Sequence, residues 1–325
     1  MSLPSVDDIL ATARVVALPM RERFRGITVR EVMVFRGPAG WGEFGAFGEY
    51  DDPEAAWWLA AGIEAAWIGP PTPLRDSVAV NATVPAVPAA DVPDILARYP
   101  GATTAKVKVA EPGDTLDDEI ARVEAVRATI PNVRVDANGK WTVPQAITAL
   151  HALGDLQYAE QPCATVEELA QVRAAVDTPI AADESIRRAE DPMRVVRADA
   201  ADVAVVKVAP LGGMRRVLSL AADIPLDLVV SSALDSAVGM SAGIACAAAL
   251  PDGSLACGLG TGTMFVRDIA APFVPDDGRV TPRTVVPDED APAADPTRTR
   301  WWVDRLRRTH ALLAAGHPAS EWSQV

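Results

Sequence analysis

The sequence is poor in cysteine and in positive charge, and each shortage excludes a class of protein. Its 325 residues include three cysteines, none spaced as a CxxC pair, at positions Cys163, Cys246 and Cys257. This pattern disfavours a disulfide framework and is typical of a reducing compartment. Lys and Arg total 30 against 44 Asp and Glu, which gives a formal net charge of −14. Since binding to nucleic acid needs a basic surface, we expect no nucleic-acid partner.

Long uncharged runs are also absent from the sequence. The longest, residues 236–251, has 16 residues, short of the roughly 18 that indicate a membrane span. The first ten residues, MSLPSVDDIL, lack the basic start and apolar run of a signal peptide. We therefore expect a cytoplasmic protein with no membrane partner. With 49% hydrophobic residues, the chain can bury a full core in one large domain or two.

From Ser77 onward, short apolar runs alternate with helical stretches. Strands are predicted at residues 78–84, 105–109, 133–137, 157–160, 180–183, 203–208, 226–232 and 255–258. Eight βα steps over roughly 200 residues match a parallel barrel. A doubly wound open sheet is the alternative, but it usually has fewer strands, and no GxGxxG follows the first strand. The predicted fold class is α/β, a (β/α)8-type barrel of the modified TIM-barrel kind.

Both ends of the chain differ in sequence pattern from this central region. Residues 1–76 combine a strand-like run at 28–35 with a helix-like stretch, Asp52–Trp67, whose tryptophans are expected to pack in the core. Residues 299–315 also predict a helix. In so acidic a protein, the arginines of this tail helix are expected to form a solvated face; they are Arg300, Arg305, Arg307 and Arg308.

Polar side chains end the predicted strands, where a barrel of this kind carries its functional groups. Asp136, Glu160 and Asp183 end three successive strands, 24 residues apart (136 to 160) and 23 apart (160 to 183). Neighbouring strands lie about 4.8 Å apart, so these carboxylates can converge. Without a cation they would repel each other, and oxygen-only ligands favour Mg²⁺, or Mn²⁺, over zinc. Each alone could be a helix cap or a rim salt bridge, but together they predict a metal site.

Three lysines flank these carboxylates. Lys106 and Lys108 share one face of a strand, and Lys207 ends a strand on the other side of the acids. Buried lysines are rare without a partner, so one interpretation is that they neutralise the acidic cluster. The other places a lysine on each face of a metal-bound substrate. There, a second lysine and a nearby cation lower the pKa of a lysine towards that of a general base, and the metal stabilises the enolate.

In these motifs the sequence resembles the enolase superfamily and its muconate-lactonizing subgroup, which pairs a Lys or His base with Mg²⁺. The matching elements are the K-x-K of Lys106–Lys108, the D-x-N of Asp136–Asn138, the E-Q-P of Glu160–Pro162, the D-E-S of Asp183–Ser185, and Lys207. The resemblance implies three regions. They are an α+β capping domain over residues 1–76, the barrel over 77–279, and a segment over 280–325 that returns to the cap.

Within that subgroup the chain looks most like the o-succinylbenzoate synthase family. The features that carry this resemblance are the short chain, Phe24-Arg25-Gly26, Arg30-Glu31, residues 231–236 and the late Gly258-Leu-Gly-Thr. It implies a Mg²⁺-dependent syn dehydration of a small carboxylate substrate, 2-succinyl-6-hydroxy-2,4-cyclohexadiene-1-carboxylate, to 2-succinylbenzoate in menaquinone biosynthesis.

The same resemblance implies a role for each site residue. Lys108 removes the proton alpha to the carboxylate and returns it to the departing hydroxide, while Lys207 stabilises the enolate from the opposite face. The Mg²⁺ ligands are Asp136, Glu160 and Asp183. Lys106 tunes Lys108, and the remaining predicted positions support these groups or lie against the succinyl tail: Asn138, Glu184, Ser232, Ala233, Leu234 and Gly258. The loop from Pro19 to Arg25 is expected to close over the site.

Two other functions stay open at this point. Lysines on opposite faces are also what a two-base enzyme needs, so N-succinylamino acid racemase and dipeptide epimerase activities are alternatives within the same superfamily. A non-catalytic barrel is the third possibility, and it would be expected to lack a catalytic lysine or a metal ligand, yet Lys108, Lys207 and the three carboxylates are all present. The sequence predicts no oligomeric state.

Overall fold

The computed structural model describes residues 2–24, 26–186, 191–251 and 253–316. The expected closing loop from Pro19 to Arg25 is not a loop over residues 19–24, which belong to the strand Arg14–Phe24, and Arg25 lies outside the described residues. Within them the helices are α1 (Val6–Leu10), α2 (Asp52–Trp67), α3 (Val92–Leu96), α4 (Leu116–Arg127), α5 (Val143–Leu153), α6 (Val166–Arg173), α7 (Asp191–Arg197), α8 (Met214–Asp223), α9 (Ala237–Ala249) and α10 (Pro296–Ala314). None of these helices combines the length and the apolar character that crossing a membrane requires.

The strands fall into an N-terminal antiparallel sheet, a parallel sheet and a short pair. They are β1 (Arg14–Phe24), β2 (Ile27–Gly37), β3 (Gly40–Phe44), β4 (Val78–Ala79), β5 (Ala82–Val84), β6 (Thr104–Lys108), β7 (Asn132–Asp136), β8 (Tyr158–Glu160), β9 (Ile180–Ala182), β10 (Val203–Val206), β11 (Asp227–Val230) and β12 (Arg279–Val280).

The antiparallel sheet carries α2 directly on its surface. Helix α2 spans the predicted residues, and it begins where Asp51 accepts a hydrogen bond from the Glu54 backbone N–H at 2.8 Å. Gly42 on β3 and Gly62 on α2 make the close packing possible, because a Cβ at Gly42 would lie 2.0 Å from the Gly62 carbonyl oxygen. This sheet and its helix form the capping region.

The parallel strands follow one another in chain order, from β5 to β11, with helices between them. Residues of the eighth predicted strand close the circle, because Cys257 bridges Val80 and Gly258 bridges Ser231, both in the parallel sense. The predicted strand at 255–258 is thus reduced to two bridged residues, since the chain turns after Gly258 into a short helical turn at Thr261–Met264. The predicted barrel with an α+β cap is confirmed.

The first predicted barrel strand, 78–84, is interrupted rather than continuous. Its start, β4, pairs in an antiparallel manner with β12 near the C-terminus, and only β5 joins the parallel sheet. The C-terminal segment therefore reaches the barrel at β12 before α10 packs against α2 of the cap. The predicted domain boundaries at 76 and 279 stay predictions.

The expectation of a solvated arginine face on the tail helix is wrong for Arg305. Its side chain is 1% exposed and donates to the backbone carbonyls of Ala46, Phe47 and Tyr50, at distances from 2.7 to 3.0 Å. The segment of irregular structure after β3 leaves these carbonyls without strand partners, and a buried carbonyl needs a donor. Sequence periodicity could not reveal this, because the acceptors lie some 250 residues away.

Candidate active site

The predicted metal ligands and lysines lie together at the carboxyl edge of the parallel sheet. Lys108, Asp136 and Glu160 are the last residues of β6, β7 and β8, and each is the register partner of the next. Asp183 and Lys207 follow β9 and β10 directly. The three carboxylates are at most 2% exposed and the lysines 8%. We call these six residues the strand-end cluster: Lys106, Lys108, Asp136, Glu160, Asp183 and Lys207.

Every carboxylate of the strand-end cluster contacts a lysine. Lys106 Nζ lies 2.6 Å from Glu160 Oε1 and 3.1 Å from Asp136 Oδ2. Lys108 Nζ lies 2.5 Å from the same Asp136 oxygen, and Lys207 pairs with Asp183. The sequence interpretation in which lysines neutralise the acids therefore describes the structure as it stands.

Burial and the neighbouring charges together move the pKa values of these carboxyl groups in opposite directions. Burial and the charge of Asp136 together raise the pKa of Glu160 to about 7. Burial also disfavours the Asp136 carboxylate, but Lys108 and Lys106 hold its pKa well below the usual range. For Lys106, burial lowers the pKa, and the charges of Glu160 and Asp136 outweigh that effect and raise it well above the usual range. Protons and cations thus compete for one buried carboxylate set.

The chemistry of the three carboxylates suits a divalent cation, but their present arrangement does not. In the described residues, no group of three or more Asp, Glu, His or Cys side chains is placed to hold a metal ion as it stands. The lysine ammonium groups contact the oxygens instead. All three candidate ligands offer oxygen only, and Glu160 Oε2 has no hydrogen-bond partner within the described chain. Such a donor set suits Mg²⁺, provided that the lysines give up their present contacts.

One pocket collects most of the predicted site residues. Those that line it are Lys106, Lys108, Asp136, Asn138, Asp183, Lys207, Ser232, Ala233, Leu234 and Gly258. Glu160 lies behind Lys106, and Glu184 accepts a hydrogen bond from Asn138 Nδ2 at 3.2 Å. Phe24 of the cap completes the wall, with its ring centroid 5.3 Å from Lys108 Nζ.

Comparisons with known proteins bear on this site and on the whole chain. The family model described as "Enolase C-terminal domain-like" matches residues 92–289, and "Enolase N-terminal domain-like" matches residues 15–66. A Mycolicibacterium smegmatis protein named o-succinylbenzoate synthase is 62% identical over 317 residues, which cover 96% of this chain and 99% of that protein. The chain belongs to the o-succinylbenzoate synthase family of the enolase superfamily.

Other matches agree with this membership. The o-succinylbenzoate synthase of Mycobacterium marinum is 59% identical over 315 residues, 95% of this chain and 96% of that protein. Among solved structures, the muconate lactonizing enzyme of Pseudomonas putida has a TM-score of 0.70 at 21% identity, covering 84% of this chain and 93% of that one. The L-Ala-D/L-Glu epimerase of Bacillus subtilis has a TM-score of 0.71 at 21% identity, with coverages of 87% and 98%. At these identities the two structures show a shared fold.

Four further polar residues at the pocket were given no role in the sequence analysis, although Gln161, Ser231 and Thr261 stand in motifs named there. Thr83, Ser231 and Thr261 line the pocket. Gln161 lies behind it, where its Oε1 accepts hydrogen bonds from the backbone N–H groups of Asp183 at 3.0 Å and Ser185 at 3.2 Å. Gln161 is the middle residue of the E-Q-P motif, so its position offered a signal. Thr261 follows a glycine-rich turn, and only the folded chain brings it to the pocket.

Proposed function

We propose that this chain is an o-succinylbenzoate synthase, a hydro-lyase that converts 2-succinyl-6-hydroxy-2,4-cyclohexadiene-1-carboxylate into 2-succinylbenzoate and water. The observation that carries the proposal is the strand order at the pocket. Lys108 ends β6 and Lys207 follows β10, so the strands of the three carboxylates lie between them. A ring held over the carboxylates would then meet one lysine on each face. The names and the 58–62% identity of its relatives support the same activity.

The proposed dehydration needs one proton carrier. Neutral Lys108 takes the proton alpha to the substrate carboxylate, so that the C–H bond breaks and an N–H bond forms. The resulting ammonium group then gives a proton to the hydroxyl on the neighbouring carbon, the C–O bond breaks, and water leaves from the same face. The ring becomes aromatic, which drives the step. Lys207 stays protonated and faces the negative charge that builds up on the ring.

The negative charge that forms on the substrate carboxylate also needs a stabilising partner. In our proposal a Mg²⁺ ion, or Mn²⁺, held by Asp136, Glu160 and Asp183 supplies that positive charge. When the carboxylate charge is offset, the ammonium forms of the neighbouring lysines lose their stabilising partners, and a neutral base becomes easier to reach. Asn138, which accepts from Lys108 Nζ at 2.6 Å, would keep the base oriented during this change.

The proposal also covers where the enzyme works and what surrounds the substrate. We propose a cytoplasmic enzyme of menaquinone biosynthesis, a compartment that the three unpaired, buried cysteines support. Its partner would be the small carboxylate substrate, with no nucleic acid or membrane involved. In the pocket, Ser232, Ala233, Leu234 and Gly258 would contact the succinyl tail, and Lys106 and Glu184 would act through Lys108 and Asn138.

A second activity, racemisation of N-succinylamino acids, is favoured by the same two lysines. If Lys108 and Lys207 face one substrate from opposite sides, either can remove an alpha proton and the other can return one. This reaction uses the same enolate chemistry and a substrate with the same succinyl group. We place it second because the relatives at 58–62% identity carry the synthase name.

NMR in D₂O separates the two activities. The enzyme is supplied with Mg²⁺ and either the cyclohexadiene substrate or N-succinylamino acids, and both dehydration and alpha-proton exchange are followed. We expect rapid aromatisation of the cyclohexadiene and, at most, slower exchange with the amino acids. Exchange with the amino acids and no reaction of the cyclohexadiene would overturn the leading proposal.

A further inference from the structure

The loop at residues 231–236, after β11, forms one wall of the pocket. It contains Ser232, Ala233 and Leu234, which line the pocket beside Lys207. Leu234 has a φ of 62°, a left-handed conformation that is strained for a leucine. Such strain persists only where the surroundings hold the backbone in place. The contacts of this loop therefore decide where its pocket-facing residues lie.

The barrel strands hold the first part of the loop. The backbone N–H of Ser231 donates to Val206 at 2.8 Å, and that of Ser232 donates to Gly258 at 2.9 Å. The Ser232 hydroxyl also bonds to the Thr261 hydroxyl. The two backbone bonds continue the parallel ladders of the barrel, and within the loop the Leu234 N–H donates to the Ser232 hydroxyl at 3.2 Å.

The cap holds the second part of the loop. Arg30 of β2 donates from Nε to the Leu234 carbonyl at 3.0 Å, and another of its nitrogens donates to the Gly45 carbonyl. Glu43 of β3 accepts from the Ser236 backbone N–H at 3.1 Å and from the Ser236 hydroxyl. Two ionisable side chains of the cap thus reach the backbone that carries the pocket wall.

Both contacts are buried and closely packed. Arg30 is 2% exposed and Glu43 is 7% exposed. A Cβ at Gly45 would lie 2.8 Å from an Arg30 nitrogen, and one at Gly239 would lie 2.9 Å from Glu43 Oε1. Glu43 also accepts from the Gly239 N–H at 3.3 Å, within the first turn of α9. Neither side chain is among the residues that line the pocket. Any effect of either on the substrate must therefore pass through the loop.

We propose that Arg30 and Glu43 are positioning residues, which fix loop 231–236 from the cap and thereby set how tightly the site holds the succinyl tail of its substrate. This inference rests on the proposed function. It predicts that weakening either contact raises KM more than it lowers kcat, because the lysines and carboxylates belong to other strands. A merely structural role would lower the unfolding temperature without this separation of KM from kcat.

The test measures kcat and KM for the cyclohexadiene substrate with the full chain. Arg30→Met removes the donors, and Glu43→Leu removes the acceptor. For each we expect KM to rise about tenfold, with kcat within about threefold of the original enzyme.

Arg30→Lys keeps the charge but loses the planar fork, so its KM should rise about threefold. Glu43→Gln keeps a carbonyl acceptor, so its KM should stay close to that of the original enzyme. Arg36→Met, at the exposed end of the same strand β2, is the matched control and should change neither constant.

An unchanged KM in folded Arg30→Met and Glu43→Leu proteins would overturn the inference, and so would a loss confined to kcat. If both variants fail to fold, Arg30→Lys decides, and a KM equal to that of the original enzyme contradicts the proposal. Should the original enzyme not dehydrate the cyclohexadiene at all, the proposed function fails instead. The same KM comparison is then made with N-succinylamino acids, whose succinyl group would meet the same loop.

Discussion

Two buried charged clusters in this protein satisfy their carboxylates in different ways. In the strand-end cluster, three lysines pair with three carboxylates, side chain to side chain. In a second group, which we call the interface cluster, Glu43, Asp235 and Asp268 lie close together, and the charge of Arg30 acts on Glu43 and Asp235. There backbone N–H groups make most of the bonds, from Ser236 and Gly239 to Glu43, from Ala233 to Asp235, and from Ala237 and Ile269 to Asp268.

The difference separates a site that can exchange partners from one that cannot. A lysine can leave a carboxylate when another cation or a substrate arrives, because its side chain is long and mobile. A backbone N–H cannot leave without moving the chain. The pKa values do not follow this division, since lysines hold that of Asp136 low, whereas burial raises the pKa of Glu160 in the first cluster to about 7 and those of Glu43 and Asp268 in the second to about 8 and about 6. We therefore assign chemistry to the first cluster and loop geometry to the second.

The largest effect is expected when the proposed general base of the strand-end cluster, Lys108, is removed. Lys108→Ala should lower kcat for dehydration by about a thousandfold or more, because general acid–base groups contribute about 10²–10⁴-fold. Steady-state kinetics measures the loss of activity, and circular dichroism checks that the variant is folded. Lys140→Ala is the control, since that lysine pairs with Glu111 outside the pocket. Full activity in the Lys108 variant would end its assignment as the base.

The next effect tests whether the same cluster exchanges lysine for metal. Glu160→Gln should weaken Mg²⁺ binding by at least about a hundredfold, because even residues that only support a metal ligand typically cost 10–100-fold. Titration calorimetry with Mg²⁺ alone measures this without any turnover. Glu111→Gln, which alters a partly exposed carboxylate outside the pocket, should leave the affinity unchanged. Equal Mg²⁺ affinity in the Glu160 and Glu111 variants would contradict the proposed ligand set.

A smaller effect is expected from the interface cluster, and on stability. Glu43→Leu should lower the free energy of unfolding by about 3 kcal/mol, because buried donors on Ser236 and Gly239 lose their acceptor. Glu43→Gln should cost less than about 1 kcal/mol, since it retains a carbonyl acceptor in the same place. Urea unfolding of the two variants gives the comparison. Similar losses in both would mean that the acceptor is unimportant there.

A further effect at the same residue is a pH dependence of stability. Burial and Asp235 raise the pKa of Glu43 from 4.5 to about 8 on folding. Between these values the folded chain binds more protons than the unfolded one, so this group's contribution to stability falls as pH rises through that window. Glu43→Gln removes the titration, and its stability relative to the original protein should therefore rise from pH 5 to pH 8, by at most about 1.4 kcal/mol per pH unit. A difference that stays constant, or falls, over this range would show that Glu43 is ionised throughout.

The sequence by itself determined the barrel and the chemical identity of its edge. Strand periodicity placed Asp136, Glu160 and Asp183 one βα unit apart, and parallel strands bring such positions to one edge because the strand repeat is regular. Local signals were equally informative for α2, whose predicted bounds, Asp52–Trp67, are those of the structure. These features depend on neighbours in the chain or on one repeating unit.

Only the tertiary structure decided what joins distant parts of the chain. Arg305 reaches carbonyls at the far end of the cap, and Arg30 and Glu43 reach a loop about 200 residues away. It also decided that β4 pairs with β12 and that the eighth strand shrinks to two bridged residues. Because these side chains are buried, their polar atoms need a backbone partner that lies nearby in the fold. No periodic sequence pattern predicts such a pairing. The proposed active-site edge of the barrel can therefore be predicted from the sequence, whereas the contacts that hold its loop in place appear only in the folded structure.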